Sequence, residues 1–427
     1  MLVGLALRLL YAHFLAVGGG RGDDVWYHTM ANAIANGHGL RVPRDYLLGQ
    51  GALTDYSGQS VPTAYHPPLF PALLAIPSKL GLTSYAAHRA VGCAMGAATV
   101  AVVGLAGRRL AGDRLGLVAA ALAAVYLPAI GNESVLMSES LYGLTIAATI
   151  LAALWAIERP TARRAAVLGG AIGLAVLTRA EALLLLALLV PFVVRRAPAR
   201  RLRLAAVAVL ATAVVVAPWC VRNTLEFDRL VGVSTGDGGV LAGANNDDAY
   251  RGPQAGAWNL GGLRLPPSAG ADRFDDAALS ARLRRKGLDY AGDHAGRLVP
   301  VIAIRVLRTW SAWPLDPDEK VTYNAFVGGR DSGAEWAALL MGWVVMALAV
   351  AGAVALRRRG LPLAPLVAPI AMVTVVSALF FGDVRFREAA DVSLVLLAAV
   401  ALTRLPLPGG ASDGVAAPRA TTLAGGR

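Results

Sequence analysis

Lysine is close to absent. Of 40 basic residues only Lys79, Lys286 and Lys320 are lysines, and the others are arginines. Cysteine is reduced to Cys93 and Cys220, which form neither a disulfide framework nor a metal-ligand spacing. Charge is scarce at 16% of residues, where soluble domains carry about 25%. Against these shortages stand 56% hydrophobic residues and a mean hydropathy of +0.55. A soluble enzyme, a disordered chain and a disulfide scaffold are all excluded, leaving a multi-span membrane protein.

The apolar residues fall in runs at 2–17, 86–106, 115–130, 135–157, 165–178, 181–194, 204–220, 335–356, 361–381 and 389–404. Their lengths, roughly 14–24 residues, suit a bilayer core of about 30 Å. The fold expected is therefore an all-α polytopic membrane protein with about ten transmembrane helices.

Arginine tests that count, because cytoplasmic loops retain basic residues. Alternate loops carry Arg108, Arg109 and Arg114; Arg159, Arg163 and Arg164; Arg195, Arg196, Arg200, Arg201 and Arg203; and Arg357, Arg358 and Arg359. Arg404, Arg419 and Arg427 follow the last run. These seventeen arginines face only Asp113, Glu158 and Asp413, so one side nets +14 while the whole chain nets +12. The basic balance is topological and gives no support to a nucleic-acid partner. It places both termini in the cytoplasm and, with an Ala/Gly-rich composition typical of GC-rich bacteria, places the chain in a bacterial plasma membrane.

Four regions result: an N-terminal transmembrane catalytic module, 1–220, including an outer loop at 18–84; an extracytoplasmic segment, 221–334; C-terminal transmembrane helices, 335–404; and a Pro/Gly/Ala-rich cytoplasmic tail, 405–427, expected to be disordered. The alternative for residues 1–17 is a signal peptide with a cleavage point near Ala16–Gly18. Basic amphipathic stretches near 279–290 and 299–313 are expected to form interfacial helices.

Ionisable residues gather at the inferred outer turns. Only Arg8 and His13 lie well inside a run. Transporter sites sit near the midplane on interrupted helices, so this distribution favours a reaction or binding event at the outer interface. Gly22-Asp-Asp-Val-Trp-Tyr-His28 opens an amphipathic stretch. It reads either as a helix start with acids on its positive end or as a carboxylate held above the bilayer to take a proton. His66-Pro-Pro-Leu is a turn leading into a short helix that brings His66 over the same surface. Met137-Ser-Glu139 and Thr178-Arg-Ala-Glu181 sit at helix junctions, as interfacial caps and ion pairs or as parts of a site. Pro218-Trp-Cys-Val-Arg-Asn223 presents Arg222, which either snorkels or grips a phosphate with its planar fork. Gly243-Ala-Asn-Asn-Asp-Asp248 is a polar loop.

Taken in order, these motifs and the final Gly382-Asp-Val-Arg-Phe-Arg387 resemble the GT-C superfamily of membrane glycosyltransferases. The resemblance is to bacterial proteins similar to dolichyl-phosphate-mannose–protein mannosyltransferases and to lipid A aminoarabinose transferases, and it covers roughly residues 8–404. It implies Asp23 as the catalytic carboxylate, with Asp24 where relatives have Glu, and Tyr27 and His28 matching the pattern. It implies His66, Arg222, Arg385 and Arg387 as ligands of a donor phosphate, and Glu388-Ala-Ala stands where relatives usually have proline. Asn245 and Asn246 match a substrate-side loop, and Arg179 and Glu181 fall in the same series.

The implied activity is transfer of a sugar from a polyprenyl-phosphate donor to an acceptor hydroxyl on the extracytoplasmic face. Asp23 acts as base, oriented by Asp24 and Glu139, and guanidinium groups stabilise the departing phosphate. No cofactor or metal is required, though a divalent cation at these acids stays open. The sugar, hexosyl or pentosyl, and the glycan, protein or lipid acceptor are not identified. The competing readings are a flippase or permease for a lipid-linked precursor and a non-catalytic membrane scaffold. The transferase expectation places Asp23 and Arg222 around one cavity.

Overall fold

The computed structural model describes residues 1–16, 22–264 and 274–403. The tail expected at 405–427 lies outside the described residues, as does most of the alternative cleavage point. Nearly every described element is helical. In chain order they are α1 (Leu2–Phe14), α2 (Asp23–Ala35), β1 (Arg41–Pro43), α3 (Arg44–Leu47), β2 (Ser60–Pro62), α4 (Leu69–Lys79), α5 (Tyr85–Ala111), α6 (Asp113–Val125), α7 (Leu127–Glu133), α8 (Glu139–Glu158), α9 (Ala162–Thr178), α10 (Leu184–Val194), α11 (Arg201–Phe227), α12 (Asp237–Ala244), α13 (Asp247–Tyr250), α14 (Asp276–Asp293), α15 (Ala295–Thr309), α16 (Pro317–Gly328), α17 (Ser332–Arg358), α18 (Ala364–Leu379) and α19 (Glu388–Leu402). The two strands pair antiparallel, with Val42 opposite Val61, and make a small hairpin in the first outer loop.

Within the described residues each of the ten apolar runs is mainly helical. Among those residues four helical stretches are long and apolar enough to cross a bilayer: α5, α8, Pro198–Phe227 and α17. The pair α6–α7, bent by 57°, makes a fifth if it is counted as one span. Its break at Tyr126 directly precedes Leu127-Pro128, and proline here opens a new helix because it cannot continue the old one. The remaining apolar helices are shorter, and α19, at 15 residues, reaches only about 22 Å. That helix is buried on every side from Glu388 to Val400, so it meets protein where a longer helix would meet lipid. A helix apolar all round belongs in the centre of a bundle, and α19 packs against α17, α18, α6 and α8.

Close packing relies on glycine. A Cβ at Gly352 of α17 would fall onto the Leu397 carbonyl of α19, and one at Gly169 of α9 would fall onto the Ala208 carbonyl of α11. Where the driving force for association is packing, small residues let helix backbones approach. By contrast, α11 turns Leu210 and Val214 outward, about 65% exposed, as a lipid-facing helix does.

Ion pairs fix the two ends of the bundle. Arg109 at the end of α5 and Arg164 at the start of α9 both reach Glu158 at the end of α8, at 3.3 and 3.5 Å. Two of the arginine-rich loops therefore meet at one end. At the other, Arg179 beyond α9 bonds Glu139 at the start of α8 at 2.9 Å. From the segment that follows α11, α15 packs against α18. The expected amphipathic helices are present as α14 and α15, but α15 is oriented with its arginines inward. Arg305 donates to the Ala244 carbonyl at 2.7 Å, Arg308 to the Ala255 carbonyl at 2.6 Å, and Val299 and Leu307 are exposed.

Candidate active site

Asp23 is the first residue of α2, capped by Gly22, so its carboxylate stands at the positive end of the helix. The chain returns at His66, where Pro67 and Pro68 start α4 and set the imidazole beside it. His66 Nε2 lies 3.4 Å from Asp23 Oδ1, and the side chains are 18% and 40% exposed respectively. Trp26, Tyr27 and Tyr65 enclose the imidazole at centroid distances of 4.7, 4.9 and 4.7 Å. Nε2 is itself buried, and the Asp23 carboxylate is the polar group it faces. Burial opposes ionisation of Asp23. His66, and then Arg385 and Arg179, outweigh that penalty and hold the carboxyl well below the usual carboxylate range.

Two junctions complete the site. Arg179 bridges Glu139 at 2.9 Å and Glu181 at 2.7 Å, and its guanidinium lies over the Tyr142 and Phe386 rings at 5.6 and 5.1 Å. Phe386 belongs to the 3₁₀ turn Val384–Arg387, which Asp383 caps by accepting from the Arg385 N–H at 2.9 Å. Arg385 pairs loosely with Asp383 at 3.5 Å, and its Nε has no hydrogen-bond partner. Glu139, 2% exposed, retains one unpartnered oxygen, Oε2. Tyr27 is buried under His66 and linked to Ser138. The result is three carboxylates, those of Asp23, Glu139 and Glu181, with an imidazole and two guanidinium groups, carried by five separate stretches of chain.

Asp23, His66, Tyr27, Glu139, Arg179, Glu181 and Arg385 thus come together. Others from the same motifs do not. Arg222 commits its guanidinium to the Thr63 carbonyl and to the Leu40 carbonyl, each at 3.0 Å, and stacks on Trp219 at 5.0 Å. It fastens the hairpin loop, and the groups that act on Asp23 do not include it. Arg387 points into the bundle, bonded to Asp391 at 3.1 Å and Ser311 at 2.9 Å. Asp24 accepts from the Tyr85 hydroxyl at 2.8 Å, and His28 meets His88 at 3.1 Å, so both face α5. Asn245 accepts from Tyr250 and Arg305, while Asn246 caps α13; both hold the outer segment together. Among the described residues no group of three or more His, Cys, Asp or Glu side chains is arranged to hold a metal ion. Trp26 and Tyr65 were missed by sequence reasoning. Their proximity to Asp23 and His66 in sequence was the available signal, obscured because aromatic residues are ordinary at a membrane interface.

Residues 65–221 match the family model described as dolichyl-phosphate-mannose-protein mannosyltransferase. The fold is similar to that of the oligosaccharyltransferase AglB from Archaeoglobus fulgidus, solved with an inhibitory peptide and a dolichol-phosphate, with a TM-score of 0.53 at 16% identity over 94% of this chain and 49% of that one. A second structure of the A. fulgidus oligosaccharyltransferase, with Zn and sulfate, gives 0.54 at 16% identity over 94% and 48%. ArnT from Cupriavidus metallidurans, bound to undecaprenyl phosphate, gives 0.42 at 16% identity over 94% and 77%. A comparison with curated proteins finds no match. The chain spans about half the length of the A. fulgidus structures it matches. The resemblance to GT-C membrane glycosyltransferases read from the motif series stands, with a mannosyltransferase-like segment at its centre.

Proposed function

We propose that this protein is a membrane glycosyltransferase that moves a sugar from a polyprenyl-phosphate donor to an acceptor hydroxyl at the extracytoplasmic face. The carrying observation is the Asp23 carboxylate at the start of α2, 3.4 Å from His66, with Arg385 and Arg179 within electrostatic reach. The mannosyltransferase-like match over 65–221, and a fold shared with an oligosaccharyltransferase solved with dolichol-phosphate, support both the reaction type and the donor class. Counting α1, α9, α10, α18 and α19 as crossings gives ten spans, with the arginine loops and both termini in the cytoplasm and this site outside. Nucleotide sugars stay in the cytoplasm, so a donor anchored in the membrane is the chemically economical source.

The step is a single displacement. The acceptor oxygen forms a bond to the anomeric carbon as the carbon–oxygen bond to phosphate breaks, and the electron pair departs with the phosphate oxygen. Asp23 receives the acceptor proton. Arg385, and His66 as it turns from Asp23, meet the growing phosphate charge. Arg179, pinned by Glu139 and Glu181, supports the field without leaving its ion pairs. A carboxylate held below its usual range is a weak base at rest. A phosphate that draws Arg385 and His66 toward itself loosens their hold on Asp23 and raises its basicity when the donor is in place.

The test is Asp23→Asn in lipid vesicles supplied with polyprenyl-phosphate mannose and with detergent-extracted acceptors. Loss of transfer by a factor of about 10² to 10⁴ is expected. Unchanged transfer would remove Asp23 from the reaction, and donor flux across the bilayer without transfer would favour a flippase.

A further inference from the structure

A second set of charges lies inside the bundle, beneath the turn that carries Arg385. Arg8 of α1 pairs with Glu133 of α7 at 2.5 Å, Arg330 with Glu335 of α17 at 2.9 Å, and Arg387 with Asp391 of α19 at 3.1 Å. None of these side chains is more than 5% exposed. Glu388 breaks the pattern. It is 1% exposed, and its Oε2 accepts from the neutral amide of Asn132 at 2.9 Å. Asn132 in turn takes a 3.3 Å bond from Arg330. Glu388 Oε1 lies against α8, 2.9 Å from where a Cβ on Gly143 would stand. Four carboxyl groups therefore face three guanidinium groups in a region where an unpaired charge costs several kcal/mol.

A cavity of ≈ 20 Å³ lies among these groups, lined by Arg8, Tyr126, Glu133, Glu388 and Asp391 together with apolar side chains that include Val103. That volume admits one water molecule. Two acceptors on its wall lack donors: Glu133 Oε1 and Asp391 Oδ2, both fully enclosed. Buried acceptors are almost always satisfied, and one water has two hydrogens to give.

We propose that this cavity is a binding site for one water molecule and one proton, the water donating to Glu133 Oε1 and Asp391 Oδ2 and the proton residing on Glu388. The charge count then closes, with three ion pairs and one neutral carboxyl. The site sits where α1, α5, α6, α7 and α19 converge, and it lets the Arg385 turn rest on a neutral, hydrated core.

Infrared spectroscopy of the full chain in lipid nanodiscs reads the proton directly. A protonated-carboxyl C=O band is expected at neutral pH, shifted by ¹³C-carboxyl glutamate labelling of the wild type and absent from Glu388→Gln, while sugar transfer by Glu388→Gln is unchanged. No such band in the labelled wild type would overturn the proposal whether or not the variant folds. Thermal unfolding in sodium, potassium and choline chloride is expected to give one Tm. A rise with sodium or potassium alone would assign the site to an alkali cation and overturn the proton. Val103→Ile, which fills the cavity, is expected to lower Tm by displacing the water. A higher Tm would show a dry cavity and remove the water from the site.

Discussion

Only a few residues of chain separate the two arginine–carboxylate clusters of this protein. Glu133 and Arg387 belong to the inner one, Glu139 and Arg385 to the outer. The inner cluster is sealed, and each of its guanidinium groups has a carboxylate partner. The outer one is half open: Asp23 is 40% exposed, Arg385 Nε and His66 Nε2 have no hydrogen bond, and Arg179 alone is held from both sides. Residue type does not distinguish the clusters, since both are built from Arg, Asp and Glu at helix ends. What distinguishes them is exposure: Asp23 is open to solvent, whereas no side chain of the three inner ion pairs is more than 5% exposed. The inner cluster organises the bundle, and the outer one can be reached by a ligand.

That contrast predicts opposite signatures on mutation. Arg8→Ala leaves Glu133 buried without its partner and should destabilise the fold by about 3–5 kcal/mol, read as a large fall in Tm or as loss of folded protein in detergent. Whatever fraction folds should retain transfer activity. If Arg8→Ala folds with an unchanged Tm, the inner cluster is not a structural keystone.

Arg385→Ala should do the reverse. Removal of a preorganised cation that meets developing phosphate charge typically lowers turnover by about 10² to 10³, equal to roughly 2.7–4 kcal/mol. Tm should barely move, because the group is loosely paired. The assay compares kcat and KM in vesicles, with kcat falling more than KM rises. Equal activity would transfer the phosphate role elsewhere and dissolve the contrast between the clusters.

Arg222→Ala sharpens the comparison, because Arg222 belongs to neither cluster. It ties the carbonyls of Leu40 and Thr63 to α11, and charged hydrogen bonds of this kind contribute about 1.5–3 kcal/mol. The expected outcome is faster proteolysis within 40–63 with kcat little changed. Any loss of activity should be recovered by conditions that order the loop, such as saturating donor. A kcat loss matching that of Arg385→Ala would restore the phosphate role that the motif series implied.

Much of this architecture is legible in the residues. Each apolar run became a helix because length and hydropathy suffice for that inference, and the arginine alternation found its counterpart in the Arg109–Glu158–Arg164 cluster. Motif order also brought Asp23, His66, Glu139, Arg179, Glu181 and Arg385 to one place. What the sequence could not convey is the direction of each side chain. Arg385 and Arg387 are two residues apart on a 3₁₀ turn, so one faces the outer surface and the other enters the bundle. Arg222 has the fork that suits a phosphate, yet two backbone carbonyls already occupy it. The arginines of α15 look like an interfacial basic face, but Arg305 and Arg308 turn to the carbonyls of Ala244 and Ala255. The inner cluster stayed hidden because Glu133, Glu388 and Asp391 sit at helix ends, where carboxylates are common, and only the packing shows them to be enclosed.

The smallest expected effect tests the openness of the outer cluster. Asp23 titrates below the usual carboxylate range when folded, because His66, Arg385 and Arg179 outweigh the penalty of burial. A carboxyl whose folded pKa is depressed stabilises the fold fully above its unfolded value, about 3.9, and the contribution vanishes as pH falls through the folded value. Wild-type Tm should therefore exceed that of Asp23→Asn by a constant margin from neutral pH down to the ordinary carboxylate range, and the margin should shrink in more acidic solution. Because the side chain is 40% exposed, solvent screening limits the whole effect to under about 1 kcal/mol, a small shift in Tm. A margin several times larger would mean that Asp23 is enclosed like Glu133, and the site would then be too closed to admit an acceptor.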